Sequence, residues 1–79
     1  MRKRKTLGNK NVVGANIERM RNERKISQQD FIAKIQVQGV DINPSSYSKL
    51  EGQTRYAYDY EIYAIAKVLK VKMEDLYIQ

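Results

Sequence analysis

The feature that most constrains this chain is its punctuation: apolar residues recur at helical spacing in short runs, and each run is closed by capping or turn residues. Such a chain must bury several short helices against one another. Val13, Ile17 and Met20 mark a first amphipathic helix over about residues 11–24, with Asn16, Glu18, Arg19 and Arg21 on its polar side. Ser27 followed by Asp30 resembles a capping box and opens a second helix whose apolar face is Phe31, Ile32 and Ile35. Gly39 marks its end or the loop beyond. Asn43 and Pro44 announce a third helix over residues 44–51, because Asn caps with its side-chain oxygen and Pro at the first position gives up no needed hydrogen bond. Gly52 stands at its C-terminal end. Tyr47 and Leu50 share one face of this helix and Ser45, Ser46, Ser48 and Lys49 fill the rest, so it has a thin buried stripe and a broad polar front. A fourth helix over residues 59–70 carries Ile62, Ile65, Ala66 and Leu69, with Asp59 and Glu61 where the helix dipole favours negative charge. A short final turn gathers Met73, Leu76 and Tyr77. The alternation Val37-Gln38-Gly39-Val40 is a weak strand signal, and the chain reads as all-α.

Seventy-nine residues hold one unit with a modest core. The longest apolar stretch, residues 62–66, is far below the roughly 20 residues of a spanning helix, so no membrane partner is expected. The basic start leads into Thr6-Leu7-Gly8-Asn9 instead of an apolar segment, which points to a cytoplasmic protein. Cysteine and histidine are absent, which excludes disulfides, Cys/His zinc sites and thiol nucleophiles; no metal or cofactor is expected. The net charge of +6 points to polyanionic partners. Its distribution is uneven: residues 1–10 hold Arg2, Lys3, Arg4, Lys5 and Lys10 and no acid, so the remaining chain is nearly neutral. Residues 1–10 are therefore expected to form a flexible basic arm and residues 11–79 the folded domain.

A capped helix followed by a polar-fronted one suggests a helix-turn-helix, whose second member lies in the DNA major groove. At this point the sequence resembles the Xre/Cro-type helix-turn-helix family of phage repressors and bacterial regulators. The resemblance rests on Val-Gly-Ala-Asn-Ile-Glu-Arg-Met-Arg (13–21), Ile-Ser-Gln-Gln-Asp-Phe (26–31), Ser-Tyr-Ser-Lys-Leu-Glu (46–51) and Ala-Ile-Ala-Lys-Val-Leu-Lys-Val (64–71), in that order. It implies a five-helix, lambda-repressor-like domain with helices 2 and 3 as the helix-turn-helix, acting as a repressor on a double-stranded DNA operator. By the same resemblance Gln28 meets the DNA backbone, and Asn43, Pro44, Ser45 and Lys49 face phosphates and base edges. Arg21 and Glu51 match a salt bridge between helices 1 and 3, while Arg55 and Tyr56 fall in a loop that touches phosphate. Ser46 and Ser48 are further candidate DNA contacts on the polar front, and the arm residues Arg2, Lys3, Arg4 and Lys5 are expected on phosphates or in a minor groove.

The sequence also departs from that family. The family turn takes about three steps from the last apolar residue of helix 2 to the cap of helix 3, whereas Ile35 to Asn43 is eight, so the turn is lengthened. Ile32 replaces a small alanine and would push the two helices apart. Gly52 comes one position before the usual loop glycine. Other readings carry less. Ser46 and Lys49 have a Ser-x-x-Lys spacing without the other motifs of acyl enzymes, so no catalytic residue and no enzyme are expected. Tyr56, Tyr58, Tyr60 and Tyr63 invite base stacking on single strands, but no strands supply a platform, so packing, phosphate contact or self-association is preferred. The rival functions are an antitoxin-like module holding a small protein partner on the same fold, and a sequence-independent RNA or nucleoid binder. A homodimer is expected on DNA, because one short helix reads few base pairs; Leu76, Tyr77 and Ile78 are too apolar to stand alone, so they either form its surface or fold back on helix 1.

Overall fold

A computed structural model describes residues 8–77 as four α-helices and a closing 3-10 helix, with no strand among the described residues. The helices are α1 Gly14–Glu23, α2 Gln28–Val37, α3 Pro44–Glu51 and α4 Asp59–Leu69, followed by the 3-10 helix Met73–Tyr77. The fifth element is thus a single tight turn anchored by Leu76. The weak strand signal resolves into the exposed last residue of α2, Val37, and a buried loop residue, Val40.

Local signals set the helix starts. The Ser27 hydroxyl accepts from the Asp30 amide at 3.1 Å, and Asn43 Oδ1 accepts from the Ser46 amide at 2.7 Å with Pro44 behind it. Helix α1 begins later than its periodicity suggests. Asn11 Oδ1 accepts from the amides of Val13 at 3.1 Å and Gly14 at 2.8 Å, so residues 11–13 form a capped turn outside the helix. The helix ends are less legible. Lys25, Gln53 and Lys70 follow or close α1, α3 and α4 in the left-handed region at φ of 57°, 62° and 61°. Bonds spanning five residues, such as Thr54 N–H to the Lys49 carbonyl at 2.9 Å, satisfy the last carbonyls there. Gly52 sits at φ −78°, so α3 stops without using its glycine's freedom; only α2 does so, at Gly39 with φ 92°.

The core joins Ile17 from α1, Phe31 and Ile35 from α2, Tyr47 and Leu50 from α3, and Ile65 and Leu69 from α4. Leu76 belongs to it as well. It is fully buried, and its carbonyl accepts from Asn16 Nδ2 at 3.0 Å, so the C-terminal turn folds back on α1 and Leu76 is no part of a dimer surface. Ile78 lies outside the described residues. Six residues, 38–43, separate α2 from α3, and they are packed: Val40 and Ile42 are buried, and Gln36 Nε2 donates to the Ile42 carbonyl at 3.0 Å. Ile32 is buried in the same wall. Of the expected arm, Gly8 and Lys10 donate to the carbonyls of Gly52 and Gln53, each at 2.9 Å. Arg2, Lys3, Arg4 and Lys5 lie outside the described residues.

Candidate nucleic-acid interface

Helix α3 has two faces of opposite character. At 100° per residue, Tyr47, Leu50 and Glu51 fall on one side and are solvent-free, while Ser45, Ser48 and Lys49 fall on the other and are exposed. Ser46, on the flank, is half-buried. The front is held at a set angle by what its back does. Arg21 Nε donates to Glu51 Oε2 at 2.7 Å and Arg21 Nη2 to Oε1 at 3.2 Å, a two-pronged pair between α1 and α3. The Tyr47 hydroxyl donates to the same carboxylate in a very short hydrogen bond, and Gln28 Nε2 donates to Oε1 at 3.0 Å. Arg21 Nη1 reaches the Ile26 carbonyl at 2.7 Å, which ties in the turn between α1 and α2. Thus one carboxylate gathers three helices. No buried side-chain nitrogen or oxygen among the described residues lacks a partner, as a low-dielectric network requires.

The electrostatics follow from this arrangement. Burial opposes the Arg21 charge, but the hydrogen bond and charge of Glu51 outweigh it and hold the guanidinium pKa above its ordinary value. Burial is the largest cause for Tyr47, and the Glu51 charge adds to it, so the phenol keeps its proton far beyond the usual range. The phenol ring packs at a tilt against Phe31, with centroids 5.6 Å apart. Tyr47 is therefore a core residue and a donor to the network, not part of the polar front.

The remaining sequence-derived site residues divide by what they already bind. Lys49, Ser45 and Ser48 stand exposed on the front, beside the exposed Asn43 and Pro44 at the start of α3. Asn43 uses its side-chain oxygen as the cap, which leaves its amide nitrogen for outside contacts. Gln28 is half-buried and committed to Glu51 through its amide nitrogen, leaving its oxygen. An open cleft of about 580 Å³ between α2 and the start of α3 is lined by Gln28, Gln29, Ile32, Ala33, Gln36 and Pro44. Arg55 is spent inside the chain: Nε donates to the Ser46 carbonyl at 3.0 Å, and Nη1 and Nη2 grip Glu61 at 3.0 and 2.7 Å. A phosphate at Arg55 would have to compete with that buried carboxylate. Tyr56 is exposed, with the Lys10 ammonium 5.2 Å from its ring centroid.

Several residues that fix this geometry were not evident in the sequence. Asn11 Nδ2 donates to the carbonyls of Leu50 and Arg55 at 3.0 and 2.9 Å while its oxygen caps α1. Gly14 lies so close to the end of α3 that a Cβ there would come within 2.3 Å of the Leu50 carbonyl oxygen. Glu61, which the pattern assigned only to the first turn of α4, is buried, binds Arg55 and accepts from the Tyr58 amide at 2.9 Å. The one local hint was an Asn preceding a helix.

Two consecutive short helices, the second backed by a rigid network and fronted by exposed serines and a lysine, define a helix-turn-helix unit of the DNA-binding class. The model of the Cro/C1-type HTH DNA-binding domain matches residues 16–78, and the chain belongs to that family. Searches of curated proteins and of solved structures found no match. Among the described residues, no helix is long and apolar enough to cross a membrane, and no group of acidic residues gathers as a metal site would.

Proposed function

We propose that this chain is a sequence-specific, double-stranded DNA-binding transcriptional regulator of the cytoplasm that represses by occupying its operator as a homodimer. The observation that carries this reading is the exposed front of α3, Ser45, Ser48 and Lys49, opposite a back clamped to α1 by Arg21 and Glu51. In this reading α3 enters the major groove, and Lys49 with Ser45 meets base edges. Asn43, the Pro44 start of the helix, Ser46, Ser48 and the free oxygen of Gln28 line the approach to the backbone. Arg55 acts chiefly by bracing the loop, with Tyr56 at the phosphate edge. Arg2, Lys3, Arg4 and Lys5 supply charge that positions the protein without specifying sequence.

Selection from a randomised duplex pool tests the reading. It should enrich one motif, and Lys49→Ala should lower affinity for that motif by about 1–3 kcal/mol and relax the preference at one base pair. Deleting residues 1–5 should flatten the slope of log affinity against log salt by at most about 3.6 per chain, or about 7.2 for the homodimer, with the motif retained. An unenriched pool together with a co-purifying small protein would replace this reading by a protein-binding module.

A further inference from the structure

Besides Val12, Val37, Tyr56 and Tyr77, the exposed large apolar residues among those described are Tyr58, Tyr60, Tyr63 and Met73, which lie before, on and after α4. Tyr58, Tyr60 and Tyr63 are each more than half exposed, at 57%, 56% and 54%, and Met73 lies beside them in a shallow cleft with Asp59. The rings of Tyr58 and Tyr60 stack on each other, 12° from parallel with centroids 5.6 Å apart, so they form one continuous plate. Tyrosine-rich plates of this kind are enriched in protein interfaces. A nucleic acid is a poor occupant, because the plate is flanked by the exposed carboxylates of Asp59 and Asp41.

The charges around the plate have an order that one occupant satisfies. Asp59 lies four residues before Tyr63 on α4 and Lys67 four residues after it, and all three are exposed. The Lys67 ammonium is 5.1 Å from the Tyr63 ring centroid, so the cation sits at the border of the plate. If a second α4 runs antiparallel across the first with Tyr63 at the crossing, Asp59 of each copy faces Lys67 of the other. The two-fold axis thus turns an acid–aromatic–base stripe into its own complement, as a closed dimer interface requires. We propose that the α4 face made by Asp59, Tyr60, Tyr63 and Lys67, extended by Tyr58 and Met73, pairs antiparallel with the same face of a second copy of this chain. This deepens the homodimer of the preceding reading by naming its surface.

Charge reversal tests it, with mass measured by light scattering for the protein free and on a selected duplex. The wild type should show twice the single-chain mass. Asp59→Lys alone and Lys67→Asp alone should each halve it, and Tyr63→Ser should do the same. The double variant Asp59→Lys with Lys67→Asp should recover the dimer, because the exchanged charges meet again across the axis. Rescue within one chain is excluded, since eight residues of helix separate the two positions by about 12 Å. All three substituted residues are exposed, and unchanged helical circular dichroism in the variants verifies that the fold persists. A dimer indifferent to the single reversals, or single variants that the double does not rescue, overturns this surface while leaving the homodimer and its DNA reading in place. A single-chain mass both free and on DNA overturns the surface and the homodimer together, and the pool selection then decides the DNA reading separately.

Discussion

Among the described residues two arginine–glutamate pairs are largely shielded from water, unlike the exposed Arg19–Glu23 pair, and they differ in reach. Arg21 and Glu51 are 30 positions apart, 8% and 0% exposed, and share their charges with Tyr47, Gln28 and the Ile26 carbonyl. Arg55 and Glu61 are six positions apart, 18% and 6% exposed, and serve one loop. Neither pair is evidence of net stability, because removing two charges from water costs about what their attraction returns. The difference lies in what each pair orients. The first fixes how the front of α3 stands on α1, whereas the second fixes how the chain leaves α3 and enters α4.

The sharpest way to break the comparison is Arg21→Ala, which leaves Glu51 buried without its cation. A loss of about 3–5 kcal/mol in urea unfolding is expected. Arg55→Ala should cost less, about 1.5–3 kcal/mol, because Glu61 keeps the Tyr58 amide and stands nearer to water. Equal losses would mean that the two pairs are of one kind. The smallest effect is expected from Tyr47→Phe, about 0.5–1.5 kcal/mol at neutral pH, since Glu51 retains Arg21 and Gln28.

That last variant also sharpens the comparison through pH. The Tyr47 pKa is raised in the fold, first by burial and then by Glu51, so above about pH 10 the unfolded chain releases a proton that the folded one keeps. The associated stability is complete below that pH and declines as pH climbs past it. Tyr47→Phe should shed this part of the alkaline loss, seen as a shallower fall of the urea midpoint above pH 10. An unchanged alkaline limb would show that the phenol is not isolated from solvent.

Much of the architecture was legible because its causes are local. Ser27 and Asn43 cap amides three residues on, Pro44 opens α3, and the buried stripes of α2, α3 and α4 recur at helical spacing. The pairing of Arg21 with Glu51 was accessible only through family resemblance, since nothing near either residue in the chain announces the other. Of the three residues expected at a dimer surface, only Leu76 is accounted for inside the chain, because an apolar residue near a chain end looks unpartnered until α1 is seen to cover it; Tyr77 stays exposed.

The sequence by itself determined where α2, α3 and α4 start, which faces of the four helices turn inward, and that α3 would carry a polar front; these follow from contacts between residues at most four apart. Only the tertiary structure decided that Asn11 ties α1 to the end of α3, that Gly14 is small because the Leu50 carbonyl is there, and that Arg55 is occupied by Glu61. It also decided which tyrosines stay outside. The physical reason is that helix caps and stripes are satisfied within a turn or two of chain, whereas a charge, a carbonyl or a missing Cβ finds its counterpart on whichever surface packing brings against it.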